Sequence, residues 1–253
     1  MWAVSDPTHL VLIPSYNTGE RVLRTVRDAL AVWSPVWVVV DGSTDGTAAR
    51  LELMAEEEEG LEVFVLEKNR GKGAAVLHGA RRALEAGFTD VLCMDADGQH
   101  AAGQIGGIME VSKANPGALV LGKPVFGPEA PAVRVNGRKI SNFWADVETL
   151  WGGIGDSLYG FRVYPLGRLI EVMDETRFAR RFDFDVEVAV RIAWKGERVL
   201  NVDSPVKYLT AEEGGVSQFR YVRDNVLLTW MHARLMVGFL LRLPLLIWRK
   251  LER

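Results

Sequence analysis

The sequence predicts an α/β fold: a mostly parallel sheet flanked by helices and followed by an amphipathic helical tail. Three observations predict it. Short apolar runs alternate with helical patterns from residue 9 to about 122. The runs are apolar at nearly every position, as strands buried on both faces are, instead of alternating with polar residues. The composition, 48% hydrophobic and 25% charged over 253 residues, supplies a core large enough to need no covalent help. Cys93, the only cysteine, cannot form an intramolecular disulfide.

In chain order, 10–13 (LVLI) reads as a strand and 20–32 as a helix opened by Glu20, with apolar residues at helical spacing. The run 36–40 (VWVVV) is the next strand, and 45–58 a helix that Thr44 or Asp45 can cap. A third strand covers 61–66 and a third helix 73–86. The run 91–94 (VLCM) is a fourth strand, 104–114 a helix and 118–121 (ALVL) a fifth strand. Three prolines and a glycine make 123–133 a loop. Beyond it the pattern gives a helix over 135–151, a strand over 159–164, a helix over 185–194 and a strand over 198–202. Residues 1–219 are therefore expected to form one domain, with halves of about 8–122 and 123–219, and 220–253 a basic, apolar tail.

The formal charge of −3 gives no reason to expect nucleic-acid binding. From residue 220 onward seven basic residues face two acids, a tail of +5 on a body of −8, so the tail is expected to meet something anionic. The stretch 226–248 is interrupted by His232, Arg234 and Arg242 and should kink or break near Pro244. It makes a poor membrane span and fits better a helix lying in the membrane interface. Trp230, Phe239 and Trp248 would enter the apolar layer while Arg234, Arg242, Arg249 and Lys250 meet head groups, an attachment that salt loosens. Packing on the body or on a second subunit is the alternative. The first residues lack the basic start of a signal peptide and carry Asp6 before a short apolar run. The expected setting is cytoplasmic, with peripheral attachment to a membrane.

Ligands of parallel α/β sheets bind beyond the carboxyl ends of the strands. Four successive ends here carry polar, glycine-punctuated sequence: PSYN (14–17), DGSTDGT (41–47), NRGKG (69–73) and DADGQH (95–100). Turn chemistry accounts for any one of them, less well for all four on one edge. Asp95 and Asp97 flank the small Ala96 just after a buried strand. In an extended segment their carboxylates converge and repel unless a cation sits between them. A hard ion, Mg²⁺ or Mn²⁺, takes such oxygen ligands and keeps positions open for substrate phosphates. Two turn aspartates without a metal are the bland alternative. A calcium loop is excluded, because Gly106 stands where the terminal Glu is needed. The first strand is not followed by G-x-G-x-x-G, Lys72 lacks P-loop spacing, and no G-x-S-x-G occurs. One cysteine and four scattered histidines make no Cys-rich zinc site. His78 and His232 read as structural.

In this order and spacing, PSYN, VDGSTDGT, NRGKGAA and DADGQH resemble the family-2 glycosyltransferases of the GT-A fold. The likeness is greatest to the polyprenyl-phosphate (dolichyl-phosphate) mannose and glucose synthase branch, over about residues 8–210. It implies a nucleotide-diphospho-sugar transferase fold and inverting transfer from a UDP- or GDP-sugar. It also implies that Pro14, Tyr16 and Asn17 line the base and ribose with Asp41 and Ser43. Lys72 would sit near the nucleotide with Asp95, Ala96 and Asp97, and Asp95 and Asp97, completed by Gln99, would hold the divalent metal. The run 182–187 (FDFDVE), with Asp183 and Asp185, resembles the family's acidic motif near the acceptor. GVSQF before Arg220 resembles a loop whose basic residue reaches the diphosphate. Two departures stand out: Val40 replaces the first of a usual aspartate pair, and Thr18 and Gly19 separate PSYN from Glu20.

Transfer to a hydroxyl requires a base near the attacking oxygen, here Asp183 or Asp185. A phosphomonoester acceptor is already anionic and needs cations to hold it. Arg134, Arg138 and Lys139, preceding Ser141 on the helix after the proline loop, form a candidate phosphate grip or else a solvated helix face. The expected acceptor is a lipid phosphate, a polyprenyl phosphate first and a glycan or glycolipid hydroxyl second. Nucleotidyl transfer would want an Arg-containing glycine-rich loop after the first strand, which PSYN is not. A non-catalytic sugar-nucleotide-binding protein is the alternative from a different class.

Overall fold

Residues 4–127, 132–206 and 221–252 are described by the computed structural model, with residues 4–5, 132–135 and 221–222 described through their backbone alone. The first half contains β1 (Val4–Ser5), β2 (His9–Ser15), α1 (Glu20–Leu30), β3 (Trp33–Ser34), β4 (Val36–Asp41) and α2 (Thr47–Glu57). It continues with β5 (Leu61–Leu66), α3 (Lys72–Glu85), β6 (Asp90–Cys93) and α4 (Ile105–Ala114), the last preceded by a 3₁₀ turn at Ala102–Gln104. The second half contains β7 (Leu119–Val125), α5 (Ala132–Glu148), β8 (Arg162–Pro165), α6 (Leu166–Asp174), α7 (Phe184–Lys195), β9 (Val199–Pro205) and α8 (Tyr221–Leu251).

Seven strands form one sheet in the order β5-β4-β2-β6-β8-β7-β9. The first four are parallel to one another, and β8 runs antiparallel to both β6 and β7. The chain winds outward from β2 to β5 and then returns to place β6 on β2's other side. The ends of β2 and β6 therefore diverge into a crevice, the usual ligand position in such sheets. The register of β8 sets Arg162 opposite Cys93 of β6 and Leu121 of β7.

Side chains alternate between two apolar layers, as the period of a strand requires. Leu10, Leu12, Val39, Val91 and Cys93 pack with α3, α6 and α7 on one face; Val11, Ile13, Val38, Val40 and Leu92 pack with α1, α2 and α4 on the other. The expectation of strands buried on both faces holds for β2, β4 and β6 but not for β5, an edge strand in which Leu61 alone is buried. The predicted strand at 159–164 shortens to β8, because Tyr159 and Gly160 belong to the loop before it. Helix α6 was not predicted; it begins straight after Pro165 and buries Leu166, Leu169, Val172 and Met173 at helical spacing.

The tail differs most from expectation. Helix α8 runs through Pro244 without a break. Arg223–Leu251 has the length and apolar composition of a membrane span, yet Met231, Leu235, Phe239 and Leu246 lie in the same apolar cluster as the sheet, α3 and α7. Packing of Phe239 and Leu246 on either side of Pro244 keeps the helix continuous where a free peptide would break.

Candidate active site

The β2–α1 and β4–α2 junctions are stitched together. The Asn17 amide N–H donates to Ser43 Oγ at 3.0 Å, and Thr44 N–H donates to Asn17 Oδ1 at 2.8 Å. Asn17 adopts φ 47°, a left-handed conformation that Asn tolerates. Tyr16 is exposed at this edge, and Pro14 pairs with Val39 in the sheet. Asp45 accepts from Thr47 N–H and from Gly19 N–H, but the N-cap of α2 is Gly46, which has no side chain to bond, so neither Thr44 nor Asp45 takes that position. Glu20 pairs with Arg50, and Val40 is fully buried in β4. Asp41 is buried and spends both oxygens on backbone, accepting from Arg70 N–H at 2.8 Å and Gly71 N–H at 2.7 Å. It thereby fixes the turn that carries Lys72.

Lys72, first residue of α3, joins two acids. Its ammonium lies 2.6 Å from Asp95 Oδ1 and 2.7 Å from Asp185 Oδ2. Burial would weaken that charge, but Asp185 and Asp95 hold the Lys72 ammonium far above its ordinary pKa. Burial would likewise raise Asp95; Lys72 and then His100 outweigh it and bring Asp95 down to about 2. Asp97 is pushed up by burial and by the neighbouring Asp95. The two aspartates do not sit in an extended segment as expected. A turn at 96–97 brings them together instead, and Gln99 N–H donates to Asp97 Oδ1 at 3.0 Å. Ala96 faces the core, with its carbonyl accepting from Thr25. His100 is buried edge-on to Tyr159, with ring centroids 4.7 Å apart, and its Nδ1 accepts from Asp95 N–H.

The acidic run resolves into two roles. Asp183 accepts from the backbone N–H groups of Ala179 and Arg181, so it braces its own turn. Asp185 takes Lys72 on one oxygen, and its other oxygen, Oδ1, is buried with no partner among the described residues. Of the two candidate bases, Asp185 alone offers a free oxygen beside Lys72 and Asp95. The expected phosphate grip is engaged elsewhere. Arg138 makes a two-pronged pair with Asp156, both contacts at 3.0 Å, and Ser141 is buried between His232 and Ser157. Lys139 is exposed. The Arg134 side chain, the GVSQF run and Arg220 lie outside the described residues.

Sequence reasoning passed over two residues that shape this site. A side chain at Gly160 would place its Cβ 2.5 Å from Asp95 Oδ2 and 2.6 Å from Lys72 Nζ, so only glycine lets the acids and the lysine meet. Arg162 is fully buried in β8 and donates to the carbonyls of Tyr159, Asp156 and Asp185. The signal for it was present: a lone arginine inside an apolar strand run is rarely idle. A cavity of about 430 Å³ on the outer side of α3, lined by Arg70, His78, Arg81 and Arg180 among others, includes none of the acids above.

The available donors are oxygens, which suit Mg²⁺ or Mn²⁺, and the repulsion that raises Asp97 is what a cation between two carboxylates relieves. Among the described residues no group of three or more His, Cys, Asp and Glu could hold a metal. An ion there would therefore share its ligands with the substrate, as Mg²⁺ commonly does.

Residues 10–165 match the model of glycosyl transferase family 2. The chain belongs to that family. Among its relatives, the undecaprenyl-phosphate mannosyltransferase of Micrococcus luteus is 29% identical over 220 residues, covering 81% of this chain and 85% of that one. The polyprenol monophosphomannose synthase of Mycolicibacterium smegmatis is 28% identical over 215 residues, covering 83% and 80%. The fold is that of glucosyl-3-phosphoglycerate synthase from Mycobacterium tuberculosis, solved with Mn²⁺, UDP and product, at a TM-score of 0.66 and 15% identity over 92% of this chain and 80% of that one. The fold is thus GT-A and the protein a glycosyltransferase, with Asp95 after β6, Lys72 at the start of α3 and Asp185 in the first turn of α7 drawn together.

Proposed function

We propose that this glycosyltransferase moves a sugar, with inversion, from a UDP- or GDP-sugar to a polyprenyl phosphate at a membrane surface. One observation carries the reading: at the crevice between β2 and β6, Lys72 joins Asp95 to the buried Asp185, with Asp97 beside them close enough for Asp95 to raise its pKa. The names of the relatives support the acceptor class. In this reading Tyr16, Asn17 and Ser43 flank the nucleoside, and Asp95 and Asp97, with Gln99, are the ligands of Mg²⁺ or Mn²⁺. When bound, the ion neutralises charge developing on the leaving nucleoside diphosphate. Lys72 keeps Asp185 and Asp95 at a fixed separation, and buried Arg162 holds the carbonyl of Asp185.

The membrane side would be the outer face of α8, joined by Ile140, Phe143 and Trp144 of α5. Trp230, Leu240, Leu241, Leu245 and Trp248 are exposed there. Between Arg223 and Lys250 no exposed position of α8 is charged. Arg234 and Arg249 are engaged with the body, and Arg242 reaches back to the Gly238 carbonyl beside Trp194. Of the four cations expected to meet head groups, only Lys250 is exposed, so in this reading the attachment would be mainly apolar.

A hydroxyl acceptor is the second reading, favoured by the free, buried Oδ1 of Asp185. Assays with polyprenyl phosphate and with a glycan hydroxyl as acceptors separate the two directly. The metal and donor are tested by thermal unfolding with UDP- and GDP-sugars, with and without Mn²⁺. Donor at about a hundred times Kd should stabilise by about 2.7 kcal/mol, a rise in Tm of about 5–10 °C. Asp97→Asn should abolish the Mn²⁺-dependent part of that rise and lower transfer by at least about 100-fold. Full activity in Asp97→Asn would sink the metal-ligand reading of Asp97.

A further inference from the structure

Helix α8 is already docked by its apolar stripe, and still it buries a guanidinium. Arg234 Nη2 lies 2.7 Å from Glu187 Oε2 and 3.6 Å from Asp183 Oδ2, with the Phe178 ring 3.8 Å from its guanidinium carbon. Its Nε and Nη1 are buried and find no acceptor among the described residues. Burying a charge with donors left unsatisfied is costly, and an apolar residue would dock a helix better. The arginine therefore serves something other than adhesion.

What it touches is the segment 178–187, which sets both ends of the Lys72–Asp185 contact. The carbonyls of Ala179 and Arg180 press on the turn that opens α3: a Cβ at Gly73 or Gly71 would lie 2.2 or 2.3 Å from them, and Ala74 N–H donates to Arg180 O at 3.2 Å. That turn carries Lys72. A few residues on, the same segment carries Asp185. Three buried acids, Asp183, Asp185 and Glu187, crowd into five residues. Lys72 balances Asp185, Arg191 takes one oxygen of Glu187, and Arg234 takes the other together with Asp183.

We propose that Arg234 is a positioning residue: from the C-terminal helix it clamps Phe178, Asp183 and Glu187, and so sets the geometry in which Lys72 meets Asp185. The proposal rests on the functional reading above only for its effect on turnover; the geometry itself can be tested without activity.

The test uses the full chain with Arg234→Met, Arg234→Lys and, as a control on the same helix, Arg242→Met. Mass spectrometry follows reductive methylation of Lys72, slow while its ammonium is held between two acids. Arg234→Met should raise that rate by about 10-fold, as local opening of the segment requires, and Arg242→Met should leave it unchanged. If the chain transfers sugar as proposed, kcat in Arg234→Met should fall about 10- to 100-fold with the donor KM within about twofold, the pattern of misplaced groups. Arg234→Lys should recover most of both readouts. Lys72 labelling and kcat that change no more in Arg234→Met than in Arg242→Met would overturn the proposal. Should Arg234→Met not fold, Phe178→Leu decides: it removes the ring against the guanidinium, and unchanged Lys72 labelling there refutes the clamp. A wild-type chain inert toward every donor would end the functional reading and leave the labelling result standing.

Discussion

A methyl group added at Gly160 would meet the mobile ends of Asp95 and Lys72, whereas one added at Gly73 would meet the carbonyl oxygen of Ala179 at 2.2 Å. Flexible ends move aside cheaply and backbone does not. Gly160→Ala should therefore keep the unfolding free energy within about 1 kcal/mol, while Gly73→Ala should lose about 1–3 kcal/mol in denaturant titrations, the usual range for overpacking. Calorimetry should show Gly160→Ala losing Mn²⁺-dependent donor affinity, because the atoms it displaces are the site. At the far end of β2, Asp6 accepts from the N–H groups of Thr8 and His9 and pairs with Lys113. Burial would raise its pKa, but these bonds win and hold it well below the ordinary 3.8. A depressed acid stabilises the fold above its unfolded pKa and stops doing so as pH falls. Asp6→Asn should cost about 1–3 kcal/mol at neutral pH, a deficit that shrinks below about pH 4. A deficit equal at pH 7 and pH 3 would contradict this. Asp95 and Asp97 were legible because two acids after a buried strand are conspicuous in one dimension. Gly160 was not, because its constraint is a contact with residues far away in sequence.

Helix α8 is the expected C-terminal helix, and four of its residues, Met231, Leu235, Phe239 and Leu246, join the core. Its amphipathic spacing was visible, but spacing alone does not say which face turns inward. Arg234, placed by its charge at a membrane surface, instead pairs with Glu187. An ion pair with a fixed, desolvated partner is stronger than one formed in water. Leu235 is fully buried in the cluster that includes the sheet. Leu235→Ala should therefore destabilise the entire protein by about 2–5 kcal/mol, with one cooperative unfolding transition. A separate early transition for the helix would show it to be an appendage. Arg138 teaches the same lesson on α5, where Asp156, 18 residues on, claims a cation that sequence left free for phosphate.

Arg138 of α5 and Arg234 and Arg249 of α8 are engaged with protein, and the exposed positions of α8 between Arg223 and Lys250 carry no charge. Vesicle binding, if this face meets lipid as proposed, should persist in about 1 M salt, where the Debye length falls to about 3 Å. It should be lost on replacing Trp230, Leu241 and Leu245 together by serine. Release by salt alone would restore the electrostatic attachment that the sequence suggested.

Sequence alone determined the strand–helix alternation, the edge that carries the candidate site and the acids gathered there, since each follows from local periodicity or from residues adjacent in the chain. Tertiary structure decided which charges are already spent. Arg138, Ser141, Asp183 and Arg234 all carry groups suited to a ligand, and each is paired with protein. A side chain's chemistry is fixed by its type, but its availability depends on what the fold brings within hydrogen-bond distance of it.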